Sequence, residues 1–65
     1  MSEQVRLDFH DLDADVGGFA TVRKVFGGVG LALNRVGEGD FEVVLPLSAA
    51  RQLAAALATA AGEES

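Results

Sequence analysis

The chain has no cysteine, tryptophan or tyrosine, and only one proline and one histidine among its 65 residues. Without cysteine there can be no disulfide, thiolate metal site or thiol nucleophile. With His10 alone, the usual nitrogen–sulfur ligand sets for zinc cannot assemble. Positive charge is also scarce: five basic residues face ten acidic ones, for a net charge of −5. That balance disfavours nonspecific attraction to phosphate backbones and to anionic membranes. Glu3, Arg6 and Asp8 interrupt the beginning of the chain before an apolar run can form, so no secretory leader is expected. The apolar helical stretch near the C-terminus falls well short of the ~20 residues that cross a bilayer. The sequence therefore reads as a soluble, cytoplasmic protein.

What is present is aliphatic. Hydrophobic residues make up 49% of the chain and its four aromatics are all phenylalanine, so an interior must be built from valine, leucine and alanine. Sixty-five residues make one domain, 1–65. A domain of this size buries only ~60% of the surface its unfolded chain exposes. Small domains depend on a disulfide, a metal or a partner subunit, and a second copy of the chain is the staple left to this one.

Val5, Leu7 and Phe9 alternate with Arg6, Asp8 and His10, which predicts a half-buried strand. Asp11 to Gly18 reads as an acidic loop, and Phe19 to Phe26 as a second strand rich in β-branched and aromatic residues. Gly27-Gly28 suits a two-residue hairpin turn that pairs Phe26 with Val29, Lys24 with Leu31 and Val22 with Leu33, collecting Val22, Phe26, Val29, Leu31 and Leu33 on one face. A three-residue loop, Gly37-Glu38-Gly39, places Phe41, Val43 and Leu45 on the same face as Leu31 and Leu33, with Gly39 left-handed. Pro46 marks a strand end or an edge, and Ser48 is the expected cap of a helix. Ala50, Leu53, Ala54, Leu57 and Ala61 share one side of that helix and should face the sheet. Gly62 is the expected C′ residue, and 62–65 the expected frayed tail. The predicted architecture is α+β: a four-stranded antiparallel meander, β-β-β-β-α, with one C-terminal helix packed on one face.

The pattern of short strands ahead of a leucine–alanine helix, chiefly Val43 to Leu57, resembles the N-terminal dimerisation domain of an actinobacterial nucleoid protein. No specific motif carries the likeness, this chain has no basic DNA-binding module, and no residue role transfers.

Candidate sites are few. Asp11-x-Asp13-x-Asp15 matches the opening of a calcium loop, but Val16 stands at its glycine position and Val22 at its closing glutamate. A solvated acidic turn is the plainer reading of Asp8 to Asp15, with Asp11, Asp13, Asp15 and His10 as weak metal candidates. His10 beside Asp8 or Asp11 could form an acid–base pair, yet the only serines are Ser2, Ser48 and Ser65 and the chain leaves little room for a substrate pocket. Gly27-Gly28-Val29-Gly30 leads into a strand rather than a helix, so it lacks the amide cradle of a phosphate loop. No enzyme, no catalytic residue and no cofactor is expected.

Interfaces are the better candidates. The far side of the helix offers Ala55, Ala56, Ala58 and Thr59, small side chains that allow close approach of another helix. The outer sheet face offers Phe19, Val25, Val36 and Val44 as a rival, and edge-strand pairing is a third route. The leading expectation is a non-enzymatic, acidic protein–protein interaction or regulatory module acting as a homodimer. The alternatives are a nucleic-acid-associated regulator or antitoxin-like dimer, and a cation-binding protein using the Asp8–Asp15 loop.

Overall fold

Strand periodicity and a run of helix formers assemble here as local propensity dictates. In the computed structural model, which describes residues 3–62, the elements are β1 (Gln4–Asp11), β2 (Val16–Val25), β3 (Gly28–Arg35), β4 (Gly39–Pro46) and α1 (Leu47–Gly62). The four strands form one antiparallel sheet in the order β1-β2-β3-β4. Every connection is local, so the chain is the expected meander followed by one helix. No helix among the described residues is long and apolar enough to cross a membrane.

The first loop is shorter than its composition suggests, because the two glycines that look like breakers lie inside β2. The turn occupies residues 12–15 and is organised by Asp11. The Asp11 carboxylate accepts from the amides of Asp13 (2.9 Å) and Ala14 (3.2 Å), and its carbonyl accepts from the Asp15 amide (2.7 Å). Asp15 completes the turn at φ 59, a left-handed conformation that aspartate tolerates.

Both later hairpins differ from expectation by one residue in the placement of the loop. The β2–β3 turn is Phe26-Gly27, with Val25 opposite Gly28, and Phe26 is fully exposed rather than part of the inner face. Only Gly27, at φ 77, needs the left-handed region. Gly28 is needed inside β3, where a Cβ would strike the Leu45 carbonyl of the neighbouring strand. The β3–β4 loop has three residues, as expected, but they are Val36-Gly37-Glu38, closed by Arg35 opposite Gly39. Gly39 is left-handed at φ 82 as anticipated. This register sets Asn34 opposite Asp40, where their side chains hydrogen-bond.

Moving a turn by one residue changes the pairing by two, so side chains keep their faces. Val22 sits opposite Leu31 and Leu31 opposite Val43, while Leu33 faces Phe41 and Val29 faces Leu45. These residues, with Val5, Leu7 and Phe9, form the inner face. Helix α1 lies on this side, against β3 and β4. It begins one residue earlier than expected, at Leu47, which places Ser48 inside the first turn, and Gly62 is its last residue rather than the start of a tail. The remaining predicted tail, Glu63-Glu64-Ser65, and Ser2 lie outside the described residues.

Candidate interaction surface

A helix is ~10 Å across, whereas four strands at ~4.8 Å spacing make a sheet nearly twice that width. One helix therefore covers half of this sheet, and α1 covers the β3–β4 half. Ala50, Leu53, Ala54 and Leu57 face Val22, Val29, Leu31 and Leu45 across an apolar cleft of about 150 Å³. Even here the seal is incomplete: Leu57 is 62% exposed. The β1–β2 half carries no cover, and Leu7 is 55% exposed although it points to the inner side. Towards the β3–β4 loop the floor is also open, with Phe41 at 70% exposure opposite a half-exposed Leu33.

The result is a folded chain without a core: among the described residues, none of the hydrophobic side chains is buried, and only Gly28 and Gly30 are shielded from solvent. The open inner face is bounded by charge at each end. Glu3 and Lys24 lie near Val5 and Val22 at one end. At the other, Arg35 pairs with Asp11 at 2.9 Å, beside Phe9 and Phe41. An apolar centre with a charged rim is the anatomy of a protein interface.

The opposite, outer face is polar and internally paired. The Arg6 guanidinium stacks over the Phe19 ring at 4.0 Å and reaches Asp8 at 3.2 Å. Arg23 lies across Gly30, where a Cβ would meet its side chain, and pairs with Glu42 on β4 at 3.0 Å. Of the residues considered for an interface on this face, Phe19 and Val25 are half-buried and Val44 is exposed. Ala55, Ala56, Ala58 and Thr59 are all exposed on α1, on the other side of the sheet. One contiguous patch cannot use both groups.

The acidic loop does not gather into a ligand set. Asp11 is engaged by Arg35 and by the turn amides, and these hydrogen bonds, led by that of Arg35, hold its carboxyl below the ordinary carboxylate value. The same contact raises Arg35. Asp15 meets the His10 ring at 2.7 Å, and Asp8 pairs with Arg6. Among the described residues no group of three or more His, Asp or Glu side chains is placed to hold a metal ion.

Apart from Phe26, which lies in the turn, the apolar strand residues read from the sequence fall on the expected face, but the sequence reading did not show that half of that face stays open. The signal was the width mismatch between one helix and four strands, which is available from element count alone. No protein-family model matches the chain, and no curated protein or solved structure matches it either, so its own surfaces are what speak to its function.

Proposed function

We propose that this chain is a non-enzymatic interaction or regulatory module that acts as a homodimer. The observation that carries the reading is the absence of any buried hydrophobic side chain among the described residues of an otherwise regular β-β-β-β-α fold. A chain of this mass would expose about 3,900 Å² as a self-contained globule, whereas this one exposes 5143 Å². An excess of this kind is of the order of the ~800 Å² that each partner contributes to a standard interface.

A nucleic-acid reading draws less support, since Arg6, Arg23 and Arg35 are engaged by Asp8, Glu42 and Asp11. Sedimentation equilibrium at micromolar concentration tests the dimer. The expected mass is twice 6.7 kDa, and a stably folded species of single mass removes the proposal.

A further inference from the structure

We infer that the dimer closes through the open inner face, with helix α1 of each copy lying on the β1–β2 half of the other copy's sheet. This rests on the dimeric reading above and adds the surface and the arrangement that produce it.

Among the described residues, the vacancy and an element of the width to fill it each occur once. The vacancy is a strip along β1 and β2, floored by Val5, Leu7 and Phe9, which are exposed on the inner face, and bordered by Val22 at the edge of the α1 cleft. Two strands are one helix wide. The object is α1, which carries a single charged residue, Arg51, between Leu47 and Gly62 and has no buried residue. Its exposed leucines, Leu53 and Leu57, stand at the edge of the cleft that opens towards Val22.

A two-fold axis between the helices satisfies both needs together. Each copy gives its helix to the other's strip and receives one in return, as an isologous contact requires. An unrelated partner that brought a helix of its own would fill the strip but leave this chain's helix bare. That asymmetry favours a second copy as the occupant.

Charge is arranged to permit the contact. Each copy carries −5, but Arg6, Asp8, Arg23 and Glu42 lie on the outer face, away from the strip. The charges that do reach the inner side, Glu3, Lys24, Asp11 and Arg35, sit at its two ends. Two copies can therefore meet without placing like charges in the centre.

The lack of native cysteine makes the arrangement directly readable. Leu57→Cys and Leu7→Cys chains, mixed and mildly oxidised, should give an interchain disulfide joining the two unlike chains. Thr21→Cys, on the outer face, should give none. Leu7→Glu should abolish the dimeric mass, while Thr21→Glu should retain it. If Leu7→Glu fails to fold, the cysteine pairs still decide the question. A dimer that cross-links through Thr21→Cys or Val44→Cys, or that tolerates Leu7→Glu at unchanged mass, overturns this arrangement and leaves the dimeric reading standing. A folded, single-mass unsubstituted chain overturns both.

Discussion

Gly18 keeps its place by close approach. A Cβ there would strike the Asn34 carbonyl and come within 3.1 Å of the Phe9 ring, which lies across it. Gly18→Ala should therefore cost about 1–3 kcal/mol, the usual range for overpacking a tight site, read as a lower denaturant midpoint. Asp11 is the other residue on which local structure turns, since one carboxylate holds both the first loop and Arg35. Its carboxyl lies below the ordinary 3.8 in the folded chain. The unfolded chain thus binds the proton more readily, so the stabilisation is complete above the ordinary value and is lost as pH falls through the lower folded one. Asp11→Asn should flatten the acid limb of stability while leaving its slope near neutrality unchanged, measured as melting temperature from about pH 6 to about pH 2.

At the scale of elements, the sheet's two faces have different energetics. Arg23 and Glu42 are an exposed pair on the outer face, and such pairs contribute about 0–1 kcal/mol. Leu53 is 39% exposed in the single chain. Were the chain to act alone, Leu53→Ala would remove only part of a transfer term. Enclosed between two copies, it should cost about 2–5 kcal/mol, the range for truncating a core leucine. Chemical denaturation of Arg23→Ala and Leu53→Ala side by side should thus show a small change for the first and a large one for the second.

Much of this was legible in the residues. Alternation fixed β1 and the inner placement of Leu31, Leu33, Phe41, Val43 and Leu45, because face assignment depends only on parity. Turn position was less legible. Gly27-Gly28 and Gly37-Glu38-Gly39 each offer glycines that serve equally well as left-handed residues or as flat strand positions. What distinguishes them is the neighbouring strand, through the Leu45 carbonyl behind Gly28 and Asp40 opposite Asn34. Gly17 and Gly18 misled for the same reason, reading as a loop where both lie inside β2 and Gly18 serves close packing against Phe9 and the Asn34 carbonyl.

For the whole molecule, expansion and exposure agree. A self-contained chain of this length has a radius of gyration of about 10.7 Å, and this one has 13.0 Å. If folding is tied to association, as the dimeric proposal requires, the melting temperature should rise with protein concentration. Calorimetric scans over a hundred-fold dilution should display that rise for the parent chain, and a melting temperature independent of concentration would count against coupled folding.

The one-sided distribution of apolar surface has a further consequence for stoichiometry. An inner face that is apolar and an outer face whose arginines are already matched give each copy a single adhesive side. Two copies joined through it as proposed would turn these charged outer faces outward, and growth would stop at a pair. Had Arg6, Arg23 and their carboxylates been aliphatic, each added copy would have offered a fresh face to the next, and stacking would have no natural end. The ion pairs of the outer face, of little weight for stability, would thus be what keeps the proposed assembly finite.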